Sequence, residues 1–156
     1  MTTALYAGSF DPITLGHLDI IEQSANIFNR VIIGIAYNSE KKGFISVPDR
    51  LELIKESVKH FSNCEVFSYE GLTVNFAKEH NASVLIRGIR NSADFEYELQ
   101  LSRVNFDLNK NIKTVFLTSK PEYNHISSTA IRELLLHKCD ISKYVPASVS
   151  NYFQKI

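Results

Sequence analysis

The sequence predicts an α/β protein: a doubly wound, five-stranded parallel sheet with helices on both faces. Three observations carry that expectation. Short apolar runs rich in Val and Ile alternate with longer stretches whose apolar residues recur at helical spacing. The alternation runs β-α five times, which calls for parallel strands joined by right-handed crossovers. A length of 156 residues, 44% hydrophobic and 22% charged, suits a single domain over 1–156 with its own core.

Leu5-Tyr6-Ala7 opens as a buried strand that stops at Gly8. A helix is expected from about Gly16, because Leu18, Ile21, Ala25 and Phe28 fall on one stripe. Val31-Ile32-Ile33-Gly34-Ile35-Ala36 has the unbroken apolar character of a strand covered on both faces. Ser46 with Asp49 three places on reads as a variant capping box, followed by the stripe Leu51, Ile54, Val58, Phe61. Glu65-Val66-Phe67 is the third strand and Thr73 to His80 a short helix. Ser83-Val84-Leu85-Ile86 is the fourth strand, expected to halt at Arg87-Gly88. A long helix covers Ala93 to Leu108, and Thr114-Val115-Phe116-Leu117 is the fifth strand. Ser127 or Ser128 caps a helix containing Ile131, Leu134 and Leu135, and Pro146 fits the first turn of a last one.

Composition narrows the function classes. Lys plus Arg number 17 and Asp plus Glu number 17, a net charge of zero that argues against a nucleic-acid coat. No apolar run approaches the roughly 20 residues that span a bilayer, and Met1-Thr2-Thr3-Ala4 lacks the basic, apolar start of a signal peptide. Two cysteines, Cys64 and Cys139, make neither a disulfide framework nor a four-ligand zinc site, so the expected setting is the reducing cytoplasm, without nucleic-acid or membrane partners. His60, His80 and His137 lie near expected helix ends, where an imidazole suits the dipole.

A doubly wound sheet binds ligands beyond the carboxyl ends of its strands, where the strand order reverses. With order 3-2-1-4-5 that point lies between strands one and four, and the segments leaving it are Gly8–His17 and Arg87–Arg90. In the first, Gly8 allows a tight turn, Ser9 offers a hydroxyl and an amide to an anion, Pro12 stiffens the loop, and His17 lands in the first helical turn beside outward-pointing amides. Taken alone, this segment reads equally as an ordinary strand-to-helix turn. Neither G-x-G-x-x-G nor G-x-x-x-x-G-K-S/T is present. In the second, Arg87 and Arg90 form a fixed fork for phosphate oxygens, or else pair with Asp94, Glu96 or Glu98 as an ion network.

Gly8-Ser9-Phe10-Asp11-Pro12-Ile13-Thr14-Leu15-Gly16-His17 resembles the signature of the H/T-x-G-H nucleotidyltransferases, with Thr14 and His17 where that motif needs them. Arg87-Gly88-Ile89-Arg90 followed by Asp94-Phe95-Glu96-Tyr97-Glu98 resembles the R-G-x-R-x-x-x-D-F-E-Y-E run of the bacterial phosphopantetheine adenylyltransferase family. Tyr123-Asn124-His125-Ile126-Ser127-Ser128-Thr129, with Arg132 beyond, resembles that family's I-S-S-S/T motif, which opens a helix against the ATP phosphates. The resemblance runs from Leu5 to about Val149 and implies a Rossmann-like fold.

It also implies transfer of the adenylyl group of ATP to 4′-phosphopantetheine, giving dephospho-coenzyme A and pyrophosphate. His17, Lys41, Arg90 and Ser128 are then the catalytic set. Ser9, Lys41, Leu72, Thr73 and Arg87 bind the acceptor, with Lys42 a near-equivalent rival to Lys41. Ser9, Phe10, His17, Gly88, Ile89, Arg90, Glu98 and the stretch Tyr123, Asn124, His125, Ile126, Ser127, Ser128, Thr129 face ATP, with Glu98 placing the nucleoside. No metal ligands are expected; Mg²⁺ arrives on the ATP. A homohexamer and feedback by coenzyme A are further implications. Two rivals stand beside this reading. One is a cytidylyltransferase or nicotinamide mononucleotide adenylyltransferase of the same superfamily, which lacks the second run; the other is a sensor that binds ATP or coenzyme A without releasing pyrophosphate.

Overall fold

A computed structural model describes residues 1–155; the last position of the expected domain, residue 156, lies outside the described residues. One parallel sheet of five strands is built from β1 (Thr3–Gly8), β2 (Arg30–Tyr37), β3 (Cys64–Glu70), β4 (Val84–Ile89) and β5 (Lys113–Thr118) in the order β3-β2-β1-β4-β5. The crossovers carry α1 (Leu15–Ile27), α2 (Val47–Val58), α3 (Thr73–Glu79) and α4 (Ser92–Leu108), and α5 (Ser128–Leu136) and α6 (Ala147–Gln154) complete the chain.

The period-two alternation of each strand divides the core between the two faces. Ala4, Tyr6, Val31, Ile33, Ile35 and Ile86 point to one side and meet Ile20 and Ile21 of α1, Ile54 and Val58 of α2, Ile131 of α5 and Val149 of α6. Leu5, Ala7, Ile32 and Leu85 point to the other and meet Val74, Phe76 and Ala77 of α3. Helices therefore cover both faces, as the unbroken apolar strands require. Among the described residues no helix is long and apolar enough to cross a membrane.

The structure shifts several boundaries. β4 does not halt at Arg87-Gly88. Its ladder to β5 continues through Arg87, Gly88 and Ile89, paired with Phe116, Leu117 and Thr118, because a neighbouring strand is there to satisfy the backbone. Arg87 thus projects from a strand and Arg90 from the turn after it. α1 begins at Leu15, with Thr14 as its cap. Ser46 caps α2 by accepting the Asp49 amide, and Ser127 rather than Ser128 caps α5 by accepting that of Ala130. Pro146 stands at the cap of α6, one position before the first turn. His80 and His137 are C-caps, while His60 lies just beyond the end of α2.

The one buried residue of α4 is a charged one, Glu98. Phe95, Tyr97, Val104, Phe106 and Leu108 remain exposed along it.

Candidate active site

Gly8, at the end of β1, lies tight against the ring that follows it: a Cβ there would sit 3.3 Å from Phe10. The chain turns back at once, with Phe10 in the left-handed region at φ 46°. That turn drives the Phe10 ring into the core, edge-on to Tyr6 at 5.3 Å and to His17 at 5.1 Å between centroids. Ser9 is left at the surface of a cavity of about 350 Å³ between the ends of β1 and β4. This is the switch point of the sheet, in the size range of a small-molecule site.

The two distant segments meet there. Ser9, Phe10 and His17 from the first, Arg87, Gly88, Ile89, Arg90 and Glu98 from the second, and Ile126, Ser127, Ser128 and Thr129 from the start of α5 line one cavity. The start of α5 is fastened to the first segment by the Ser128 hydroxyl, which donates to the Pro12 carbonyl at 2.8 Å.

His17 is oriented by its own helix cap. The Thr14 amide donates to His17 Nδ1 at 3.1 Å, while the His17 amide donates to Thr14 Oγ1 at 3.3 Å. An Nδ1 that accepts an N–H carries no proton, so the ring proton sits on Nε2 as a donor. Burial first, and then the Arg90 charge, push the imidazole pKa down from 6.5 to about 4. His17 is therefore a neutral hydrogen-bond donor at physiological pH, suited to stabilising charge. Its proton leaves more readily in the folded than in the unfolded chain. This contribution to stability, on the order of 3 kcal/mol, is complete above pH 6.5 and disappears as pH falls through 4. An imidazole NMR titration of the free protein should find Nδ1 unprotonated and a midpoint near 4; a midpoint at 6.5 would contradict the half-buried placement beside Arg90.

The arginines form the ion network that the sequence offered as one reading. Arg87 donates to Glu98 through Nε at 2.5 Å and Nη2 at 2.7 Å, and through Nη1 to the Ala7 carbonyl at 3.1 Å. Burial opposes its charge, but the Glu98 hydrogen bond and field more than offset this, and its pKa is raised. Arg90 donates through Nε to Asp94 at 3.0 Å and through Nη1 to the Ile126 carbonyl at 3.2 Å. The carboxylates thus fix each guanidinium at the cavity wall rather than removing it. Both Glu98 oxygens are engaged by Arg87, so Glu98 as placed orients an arginine.

Other predicted residues fall outside this cavity. Thr73 lines a smaller space of about 130 Å³ on the far side of the Arg87–Glu98 pair, with Leu101 and Asn105 of α4. Leu72 precedes α3 and is exposed. Asn124 accepts the hydroxyl of Ser119, which itself lines the main cavity. Tyr123 packs over Gly16, and exposed His125 stands edge-on to Tyr144 at 6.1 Å. Lys41 and Lys42 both line a shallow hollow beside Ser9, but only Lys42 lines the recess that Ser9 shares with Arg132. The Arg90–Asp94 pair is one that the sequence offered, whereas sequence reasoning gave no role to Arg132, whose Nη1 donates to the Asp11 carbonyl at 2.9 Å and whose Nη2 donates to Thr129 Oγ1 at 3.1 Å. The i,i+4 spacing of Arg90 and Asp94 was a usable signal; the Arg132 contact spans 121 positions and left none.

A cytidylyltransferase-like family model matches residues 5–134. The chain is 47% identical to the phosphopantetheine adenylyltransferase of Haemophilus influenzae (strain PittEE) over 97% of both chains. It is 48% identical to that of Vesicomyosocius okutanii subsp. Calyptogena okutanii (strain HA), over 94% of this chain and 92% of the relative. With that of Lachnoclostridium phytofermentans it shares 46% identity over 96% of this chain and 91% of the relative. A crystal structure assigned as a nicotinate-nucleotide adenylyltransferase from Vibrio parahaemolyticus superposes with a TM-score of 0.74, covering 99% of this chain and 93% of that one; at 20% identity the likeness is one of fold.

Proposed function

This chain belongs to the phosphopantetheine adenylyltransferase family, and from that premise we propose how its residues act. It is a nucleotidyltransferase that joins the adenylyl group of ATP to 4′-phosphopantetheine, giving dephospho-coenzyme A and pyrophosphate, the penultimate step of coenzyme A synthesis. An oxygen of the acceptor phosphate forms the new bond to the α-phosphorus as the bond to the bridging oxygen breaks, and pyrophosphate leaves with that electron pair. The acceptor is already an anion, so no enzyme nucleophile or general base is needed, and catalysis rests on positioning and charge stabilisation.

The neutral His17 donates from Nε2 to the phosphate chain near the reacting phosphorus. Arg90 and the amides of Ser127, Ser128 and Thr129 take the β- and γ-phosphates, at a helix start where backbone N–H groups favour anions. Ser9, Arg87 and Lys41 or Lys42 hold the acceptor phosphate. Leu72 and Thr73 lie along its pantetheine arm. The backbone of Phe10, Gly88 and Ile89 walls the nucleotide, and Tyr123, Asn124, His125 and Ile126 set the approach to α5. Glu98 acts through Arg87. The observation that carries this reading is the meeting of His17, Arg87, Arg90 and the start of α5, from three separate stretches of chain, on one cavity at the switch point.

Mg²⁺ travels with ATP. Asp94 and Glu98, the carboxylates lining the cavity, are each paired with an arginine. Among the described residues no three His, Cys, Asp or Glu side chains gather as a cage. This donor set suits an ion bound to phosphates and water, where it would neutralise developing charge. A homohexamer would cover the exposed apolar residues of α4. Coenzyme A, which carries the product's pantetheine and nucleotide parts, would compete at the same cavity. Two unpaired cysteines agree with a cytoplasmic setting.

The test is a coupled pyrophosphate assay with ATP, Mg²⁺ and 4′-phosphopantetheine, run beside CTP and other acceptor phosphates. Pyrophosphate release confined to the first combination is expected; ATP binding without release would make the protein a sensor. Lys41→Ala against Lys42→Ala assigns the lysine. The family resemblance expects the collapse, roughly 10²-fold or more, at Lys41; a collapse at Lys42 alone would give the role to the residue lining the recess with Ser9 and Arg132.

A further inference from the structure

Asp11 is a buried carboxylate that the chemistry above does not use. Neither of its oxygens meets a cation within salt-bridge distance among the described residues. Oδ2 accepts the Phe44 amide at 2.8 Å and Oδ1 the Ile45 amide at 2.8 Å. Those amides belong to the loop between β2 and α2 that carries Lys41 and Lys42. The other end of that loop is tied separately, where the Ser39 amide and hydroxyl donate to Glu70. Asp11 itself sits two residues after Ser9, in a turn clasped from two other elements: Arg50 of α2 donates to the Ser9 carbonyl at 2.8 Å, and Arg132 of α5 to the Asp11 carbonyl. Gly43 crosses this cluster with no space to spare. A Cβ there would lie 2.9 Å from Arg50 Nη2, 3.0 Å from the Ile45 carbonyl and 3.2 Å from Asp11 Oδ2.

We propose that Asp11 is a positioning residue which sets the lysine loop against Ser9, so that the lysine reaches the acceptor phosphate. The proposal rests on the function given above and extends it to a residue of the recess beside Ser9 and Lys42 whose two carboxylate oxygens are taken by backbone amides. A carboxylate accepting two backbone amides is a strong, directional tether. It spans 33 and 34 positions in sequence, and it joins the loop that carries the lysine to the turn that carries Ser9. ATP is held mainly by other groups, so losing the tether should fall on the acceptor.

Asp11→Asn places an NH₂ where one of the two amides needs an acceptor. The expected result is a roughly 10- to 100-fold loss in kcat/KM for 4′-phosphopantetheine, the scale of a misplaced reacting group, with KM for ATP changed less than about 3-fold. In a Lys41→Ala/Lys42→Ala background the same substitution should add almost nothing, because the group it positions is gone. Gly43→Ala, which displaces the loop and leaves Asp11 in place, should reproduce the acceptor-selective loss if Asp11→Asn folds poorly. Equal losses for ATP and acceptor, or a full additional loss in the lysine-free background, would overturn the proposal. A wild-type chain that releases no pyrophosphate from ATP and 4′-phosphopantetheine would instead overturn the function on which it rests.

Discussion

His17→Ala lowers turnover by roughly 10²–10³-fold at saturating substrates, the cost of losing one transition-state hydrogen-bond donor. The magnitude follows from where the ring lies. Its donor is pre-set by Thr14, kept neutral by burial and by Arg90, and supported from beneath by Phe10, so it pays little reorganisation when charge develops. The substitution also removes an aromatic contact and leaves the Thr14 amide without its partner, so circular dichroism and a melting curve belong beside the kinetics. A variant that folds and turns over at the wild-type rate would remove His17 from the mechanism.

Arg87→Ala should be the most damaging single change to the site's framework. Glu98 is 9% exposed, and its carboxylate accepts two short bonds from Arg87. Removing one partner of such a pair leaves an uncompensated buried charge, at a cost of about 3–5 kcal/mol. For a chain of this size that corresponds to a fall in Tm of roughly 6–20 °C. The double variant Arg87→Ala/Glu98→Gln should recover part of the loss, because the stranded charge goes with the second change. Urea unfolding of the wild type, both single variants and the double measures the coupling. Simple additivity of the two single effects would mean that the pair does not hold the wall of the cavity. Activity should not return in the double variant, since the proposed phosphate fork would have lost one arm.

Much of this molecule was readable before any coordinates. The apolar run at Val31–Ala36 declared a buried parallel strand, because only a strand covered on both faces tolerates such continuous Val and Ile, and Ser83–Ile86 declared a further strand. Capping by Ser46 was readable too, since a hydroxyl three residues before a free amide is a local arrangement. The end of β4 was not. Arg87 and Gly88 look like a stop in one dimension, and β5 keeps them in the ladder. Glu98 shows the same limit in the site. The sequence offered it both as a nucleoside contact and as one of three acidic partners for the arginines, and its engagement with Arg87 in particular depends on the depth at which α4 packs.

Sequence by itself determined the periodicities, the alternation of strand and helix they imply and the short motifs that mark the site. These are properties of neighbours along the chain, set by backbone geometry and by which side chains water rejects. Tertiary structure alone decided which charges are paired, which imidazole nitrogen holds the proton, and how the turn at Asp11 grips a loop more than thirty residues away. Those outcomes depend on distance and on exclusion of water, and both exist only once separated segments have packed together.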